Sequence, residues 1–292
     1  MRTLALTILL LGACAAEAQI AVTDALGSRV SLHAAARRVV SLAPHATELL
    51  FAAGAGREVV GVLAPADWPA EARSVPKVGD ANAVSLEGIA ALRPDLIVTW
   101  PYLAPLQLER LRAMNIAIYV SDPRTPAAIA DDLEHLGTLT GHAGQAAVVA
   151  AALRARLRAL GQRYMGAPAV RVFYEIWDNP MYTVGGGHLI TAVIELCGGR
   201  NVFGNLPLPA PEVSIEAVLA AAPEAIVAGA DGAVRPAWLD AWRTWKTLPA
   251  VALDNLSVVN ADLLHRAGPR FIDGAEQLCA VLATARSHLP PR

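Results

Sequence analysis

A fifteen-residue segment of this chain occurs twice, and the repeat limits the folds that the sequence can adopt. The first copy covers residues 84–98 and the second covers residues 213–227, and seven of the fifteen positions are identical. Each copy has the pattern of a short helix that is followed, after a proline, by an apolar strand. The repeat therefore predicts two similar lobes, each with one glutamate, Glu87 or Glu216, at the same place.

Two interpretations of these glutamates are open at this point. Ser85 and Ser214 are good helix N-cap residues, and a glutamate two positions after the cap lies at the positive end of the helix dipole. Helix capping alone therefore explains each copy. Alternatively, two exposed carboxylates on two lobes bind a basic partner at two points, which fixes orientation as well as affinity.

Strands and helices alternate along the rest of the chain. Compact apolar strands are predicted at residues 38–42, 59–63, 96–100 and 116–120, and the pattern restarts at residue 170. Strands that alternate with helices at this spacing form parallel sheets with helices on their faces.

A long helix is predicted between the two repeat copies. Residues 142–165 contain no proline and are rich in alanine, leucine and arginine, and a continuous helix of this length would reach about 36 Å. The predicted fold class is α/β, with two Rossmann-like lobes around central parallel sheets joined by this single backbone helix. The predicted boundaries are 19–141 for the N-terminal lobe, 142–166 for the connecting helix and 167–292 for the C-terminal lobe.

The N-terminus has the pattern of an export signal. Arg2 supplies the positive start, an apolar run follows, and Ala16-Glu17-Ala18 fits the small-x-small cleavage rule, so residues 1–18 are predicted to be a signal peptide. An alternative is that Leu11-Gly12-Ala13-Cys14, which resembles a bacterial lipobox, leaves Cys14 lipidated and the protein anchored. Both routes predict a protein that is exported to the periplasm.

Cysteine usage agrees with export, and the net charge argues against nucleic acid as a partner. Cys14 lies in the signal, and Cys197 and Cys279 are expected to form a disulfide in an oxidising compartment, the alternative being two separate buried thiols. The net charge of -2 and the pI near 6.4 provide no basic surface for nucleic acid.

The loops that follow the predicted strands hold most of the candidate binding residues, because ligands of open α/β sheets bind beyond the carboxyl ends of the strands. Aromatic walls with a few polar groups suit a large, flat, partly apolar ligand, whereas the alternative is that several of these aromatics simply cap the sheets. The candidate residues are Pro44, His45, Trp68, Trp100, Tyr102, Tyr174, Trp177, Asp262, Leu263, Leu264, His265 and Arg266.

Catalytic and metal motifs are not found. His45, His188 and His265 lack the close paired spacing of a zinc site, and the glycines at 185–187 have no following Lys-Ser/Thr of a phosphate loop. We therefore expect a binding protein without a cofactor or a metal site of its own. The alternative from another class is a secreted α/β enzyme, which needs a nucleophile or metal constellation.

Two sets of residues resemble a known family. Residues 38–48 (Arg-Val-Val-Ser-Leu-Ala-Pro-His-Ala-Thr-Glu) and the repeated Val-Ser-x-Glu segments resemble the bacterial helical-backbone (class III) substrate-binding proteins of ABC importers, which carry vitamin B12, haem or ferric siderophores. The likeness is greatest to the cobalamin-binding members. Residues 195–203 and 277–279 look like the disulfide-bearing segments of that family.

The resemblance implies a function for the whole chain. It implies a periplasmic receptor, monomeric when free, that captures a corrinoid between its lobes and delivers it to a dimeric ABC permease with its ATPase subunits. It also implies that Glu87 and Glu216 dock onto arginines of the permease, that residues 262–266 contact the corrinoid, and that Trp100 is a cleft tryptophan. Haem or a ferric siderophore is the alternative ligand.

Three departures bear on the ligand. Pro65 stands where the cobalamin binders have a ligand-contacting tyrosine, and Ala210 and Leu263 stand where they have tryptophans. Trp177 and Tyr102 are the candidates to compensate.

Overall fold

The computed structural model of the protein describes residues 19–80 and 82–291. The predicted signal peptide at 1–18 and the predicted lipid attachment at Cys14 lie outside the described residues. Within the described ranges, no helix is long and apolar enough to cross a membrane.

The first lobe is a parallel sheet with helices packed on it. A short antiparallel hairpin, β1 (Ile20–Thr23) and β2 (Arg29–Leu32), precedes it. The sheet strands are β3 (Val39–Ser41), β4 (Val59–Val62), β5 (Leu96–Thr99) and β6 (Ala117–Val120), in the order β4-β3-β5-β6. The helices are α1 (Pro44–Ala52), α2 (Leu86–Leu92), α3 (Pro105–Arg112) and α4 (Pro126–Leu139), with a 3₁₀ helix at Ala70–Ser74.

Helix α4 is not anticipated by the sequence analysis, although its start carries recognisable signals. Thr125 caps it by accepting a hydrogen bond from the Ala128 N–H at 3.2 Å, and Pro126 occupies the first turn. Proline suits this position because its fixed φ matches the helix and its missing N–H has no partner there anyway.

The long backbone helix α5 (Ala143–Tyr164) follows α4 and confirms the prediction for this region. Its buried side chains, which include Ala146, Ala150 and Leu153, form a stripe of helical period. One continuous cluster of buried apolar side chains runs from the first lobe through α4 and α5 into the second lobe. The two lobes are therefore joined by a shared core as well as by the chain.

The second lobe repeats the arrangement with added pieces. Its strands are β7 (Val170–Asp178), β8 (Met181–Thr183), β9 (Gly199–Asn201), β10 (Ala225–Ala230) and β11 (Leu256–Asn260), in the order β11-β10-β7-β8 with β9 also paired to β7. Strand β8 is antiparallel to β7, and the other pairs are parallel. The helices are α6 (Leu189–Leu196), α7 (Ile215–Ala221), α8 (Ala237–Ala241), α9 (Pro249–Ala252), α10 (Ala261–Leu264) and α11 (Phe271–Ser287), with 3₁₀ helices at Asp231–Ala233 and Trp242–Thr244.

The two repeat copies have the same local structure. Ser85 accepts a hydrogen bond from the Gly88 N–H at 3.0 Å, and Ser214 accepts one from the Ala217 N–H at 3.2 Å, so both serines cap their helices. Both helices also end at a left-handed residue other than glycine, with φ of 44°. The sequence repeat is therefore also a structural repeat, which includes the N-caps and the ends of both helices.

A disulfide ties the second lobe together. Cys197, at the end of α6, is bonded to Cys279 in α11, with a Cα–Cα distance of 4.8 Å. The predicted pairing is confirmed, and the alternative of two separate thiols is wrong.

Candidate functional site: the interlobe cleft

A cleft lies between the two lobes at the carboxyl ends of their strands. A cavity of about 150 Å³ is lined from the first lobe by residues that follow β3, β5 and β6, and from the second lobe by the start of α6 and the end of α10. A second cavity of about 440 Å³ adjoins it at His265, which lines both. Small-molecule sites commonly occupy about 300–1,000 Å³, and the larger of the two cavities lies in this range.

His45 forms the floor of the cleft on the first lobe. It lies buried in the first turn of α1, and its Nε2 is 2.9 Å from the Ser121 hydroxyl. Ser121 in turn donates a short hydrogen bond to Asp132, which also accepts from Tyr119 at 2.6 Å. When Asp132 is ionised, Ser121 donates to it and therefore accepts from His45. This order fixes the hydrogen on Nε2 and leaves the lone pair on Nδ1.

Burial lowers the pKa of His45 to about 4, so that its imidazole is neutral at physiological pH. The same desolvation raises the pKa of Asp132. The first-lobe side of the cleft therefore presents a neutral ring whose orientation is set by a buried polar chain.

Two aromatic side chains continue this wall. The ring of Trp100 is 6.2 Å from that of His45 and 5.7 Å from that of Tyr102, the latter edge to face. Trp100 is half-buried, whereas Tyr102 is 58% exposed and lines the cavity. An edge-to-face pair is a favoured arrangement of two aromatic rings, so Trp100 and Tyr102 together extend the apolar surface of this wall.

His265 carries the opposite wall. Its Nε2 is 3.0 Å from the hydroxyl of Tyr174, which is fully buried in β7 and does not line the cavity. The close pairing depends on Gly229, because a Cβ there would lie 2.6 Å from both groups. Tyr174 therefore acts on the cleft through His265.

An ion-pair network closes one end of the cleft. Arg270 of the second lobe donates to the Glu48 carboxylate at 2.6 and 3.0 Å, and Glu48 is almost fully buried on α1. Arg266 bonds Asp67 at 2.5 Å and lies 3.3 Å from Asp262. Because Glu48 and Asp67 belong to the first lobe and both arginines to the second, the network bridges the cleft.

Known proteins match most of the chain. A family model described as periplasmic binding protein matches residues 39–263. A vitamin B12-binding protein of Vibrio cholerae is 37% identical over 253 residues, covering 86% of this chain and 91% of that protein. A vitamin B12-binding protein of Photorhabdus laumondii is 39% identical over 253 residues, covering 86% and 90%. The chain belongs to the periplasmic binding protein family.

Solved structures share the two-lobed fold of this periplasmic binding protein. The crystal structure of the periplasmic vitamin B12 binding protein BtuF of Vibrio cholerae matches with a TM-score of 0.78 and 36% identity, covering 86% of this chain and 98% of that one. The periplasmic heme-binding protein BhuT, in complex with two hemes, matches with a TM-score of 0.76 at 22% identity, covering 87% and 100%. The second likeness concerns the fold alone.

The remaining candidate residues of the binding protein lie around the cleft rather than in one pocket. Trp177 is exposed and lines the cavity of about 440 Å³ with His265. Trp68 stacks on Arg270, with the guanidinium 4.4 Å from the ring centre, and lines a groove of about 590 Å³ beside the network. Leu264 lines the smaller cavity, and both Leu263 and Leu264 lie against Gly274 of α11.

Two predicted loops of the binding protein are helical. Pro44 and His45 open α1, because proline is suited to the first helical turn. Residues 261–264 form α10, because the Asn260 side chain caps it by accepting from the Asp262 N–H at 2.9 Å. Predicting loops at both places was wrong, although the positions at the carboxyl ends of strands were right.

Sequence reasoning missed several residues of the small cavity. Asp122, Pro123 and Arg124 line it directly after β6, and the predicted end of that strand at Val120 was the signal that could have found them. His188 also lines it and caps α6, its Nδ1 accepting from the Ile190 N–H at 3.1 Å. Within residues 19–80 and 82–291, no group of three or more His, Cys, Asp or Glu side chains is placed to hold a metal ion.

Proposed function

We propose that this binding protein captures a corrinoid of the vitamin B12 type between its two lobes and delivers it to an ABC importer. The observation that carries the proposal is the cleft itself, in which rings from both lobes face one space at the carboxyl ends of the strands. The vitamin B12-binding relatives support it, because they match most of the chain at more than 35% identity.

The proposed ligand site consists of the cleft walls and the network at their end. His45, Trp100 and Tyr102 form one wall, and His265 and Trp177 form the other. Flat aromatic and imidazole surfaces suit the large planar ring of a corrinoid. Arg266 and Asp262, which neighbour His265, supply charged donors and acceptors for amide groups at the ring edge.

The proposed docking residues are Glu87 and Glu216. Both are exposed in the first turn of capped helices that share one local structure, α2 and α7. Hydrogen bonds to the backbone and to Ser214 lower the pKa of Glu216, so it is charged whenever it meets a basic partner. We assign these carboxylates to arginines of the permease, one on each lobe.

The proposed location is the periplasm, where the family operates, with residues 142–166 as the connector between lobes 19–141 and 167–292. The shared core between the lobes leaves room for only small movements. Release of the ligand would then follow from the permease prying the lobes apart. The protein performs no reaction in this scheme.

Calorimetric titration with cyanocobalamin tests the ligand. Binding at micromolar concentration or tighter is expected, and no heat at these concentrations would rule cobalamin out. Tyr102→Ala removes an exposed ring from one wall and should weaken binding about tenfold. Met165→Ala, which removes a still more exposed apolar side chain outside the cleft, is the matched control and should bind normally.

Haem is the second candidate because the cleft holds a neutral imidazole. The pKa of His45 at about 4 and the lone pair on its Nδ1 are what a haem iron requires of a ligand. A Soret shift on adding hemin that is lost in His45→Ala, together with no binding of cyanocobalamin, would replace the corrinoid by haem.

A further inference from the structure

A small cavity on the second lobe is walled by tryptophans, one of which, Trp238, also lines the cleft cavity of about 440 Å³. The small cavity measures about 200 Å³ and is lined by Trp238, Trp242 and Trp245 with a carboxylate at its base, Glu175. We call it the tryptophan cage. Trp242 is packed edge to face on Phe173 at 5.8 Å, so its ring is held by the core, whereas Trp245 is 41% exposed at the rim.

The carboxylate of Glu175 is buried without a positive charge beside it. The residue is 1% exposed, and its Oε2 accepts from the Trp242 indole N–H at 2.9 Å. In the described part of the chain, no arginine, lysine or histidine forms an ion pair with it, and its charged neighbour is another carboxylate, Asp178. Burial and this like charge raise the pKa of Glu175 to about 7.

Such an arrangement is complementary to a cation. Indole faces attract cations through their quadrupole, and a buried carboxylate that ionises as a cation approaches adds a negative charge in a poorly screened place. A guanidinium fits better than an ammonium, because it is planar, stacks on tryptophan and can bond two carboxylates in a fork. Glu175 and Asp178 both line the cage.

The position of the cage indicates which partner molecule would supply the cation. Ile215, the first residue of helix α7, lines the cage and is 41% exposed, and the next residue is Glu216. Tryptophan is enriched at the centres of protein–protein interfaces, and Trp245 of the cage is exposed. The cage is thus continuous with the surface assigned above to docking.

We propose that the tryptophan cage takes the guanidinium of an arginine side chain on the permease, next to the arginine that meets Glu216. This inference rests on the proposed docking function and adds a second anchor to it. The cage makes the second lobe the stronger of the two docking points.

The first test uses a free guanidinium and needs no transporter. The full chain, labelled with ¹⁵N, is titrated with N-acetyl-L-arginine amide while the indole N–H resonances are followed. Shifts of the Trp242 and Trp245 indoles with a millimolar midpoint are expected. They should be absent with N-acetyl-L-norleucine amide, which has no charge, and at least tenfold weaker in Glu175→Gln. Equal shifts with both probes, or unchanged binding in Glu175→Gln, would overturn the cage as a cation site.

The second test measures affinity for the importer in nanodiscs. Glu175→Gln keeps the acceptor for the Trp242 N–H and should weaken docking about tenfold, as should Trp245→Ala, while cyanocobalamin binding is unchanged. Glu109→Gln, an exposed carboxamide variant on α3, is the control and should dock normally. If Glu216→Arg abolishes docking but both cage variants dock normally, the cage inference fails alone. If Glu216→Arg also docks normally, the proposed docking function has failed.

Discussion

Helices α2 and α7 have the same caps, the same length and the same exposed glutamate, but their surroundings differ. Beside α7 lie three tryptophans and a buried carboxylate, whereas the apolar cluster around α2 is mainly aliphatic and includes Val78, Val84 and Trp100. The repeat therefore places one exposed glutamate on each lobe. The residues around the two glutamates differ, so we expect the two lobes to contribute unequally to docking.

Charge reversal at the two glutamates is the largest expected effect. The double variant Glu87→Arg/Glu216→Arg should abolish transport in a reconstituted uptake assay and leave ligand binding intact, because both side chains are exposed and neither lines the cleft cavities. Of the single variants, Glu216→Arg should lose more transport than Glu87→Arg, because it also disturbs the approach to the cage. Equal losses would mean that the two lobes dock alike, and a loss of ligand binding would mean that the glutamates have another role.

The network between the lobes gives the next effect. Arg270→Ala removes the main partner of the buried Glu48, although Arg266 remains 3.6 Å away. We expect a loss of about 2 kcal/mol in the free energy of unfolding, because an unpaired buried carboxylate is costly. The measurement is chemical unfolding followed by circular dichroism. Arg37→Ala is the control, because Arg37 is 71% exposed and its pair with Glu58 should contribute less than about 1 kcal/mol. Equal losses in the two variants would show that the network is no more than a surface contact.

The ease of prediction from sequence differs between local and long-range features. The strand pattern, the long helix and both repeat helices follow from periodicity and capping signals within a few residues. The tryptophan cage joins Glu175 to Trp242, 67 positions away, and the network joins Glu48 to Arg270, 222 positions away. No local pattern marks such contacts, because they depend on how the two lobes pack.

The same limit applies to the candidate site. Positions near strand ends were found because parallel strands share an edge, which placed His45, Trp100 and His265 around one cleft. Tyr174 was expected at the surface of the site but is buried behind His265, since it lies within β7 before that strand ends. The direction of a side chain on a strand changes at every residue, so a shift of one position reverses it.

The buried carboxyl of the second lobe should also give a pH dependence. The pKa of Glu175 rises from its ordinary 4.5 to about 7 in the folded protein, so folding favours the protonated form. Its contribution to stability is therefore complete below about pH 4.5 and is lost as the pH rises to about 7. Thermal unfolding from pH 5 to pH 8 should show the wild-type melting temperature falling more steeply than that of Glu175→Gln. Parallel curves would mean that Glu175 is already compensated, which would also weaken the contrast between the lobes.

The smallest expected effect concerns the N-caps of α2 and α7, which are alike in the two lobes. Ser85→Ala and Ser214→Ala each remove one capping hydrogen bond of similar length, 3.0 and 3.2 Å, at exposed helix ends. Each should lower the free energy of unfolding by about 1 kcal/mol, and by the same amount within error, as measured by urea unfolding. Ser85→Thr and Ser214→Thr keep the hydroxyl and should recover most of the loss. Because the cap leaves the glutamate in place, both alanine variants should still dock. If Ser214→Ala lowered the free energy of unfolding several times more than Ser85→Ala, the cage would also depend on the start of α7. The two repeat copies would then differ in their stability as well as in their surroundings.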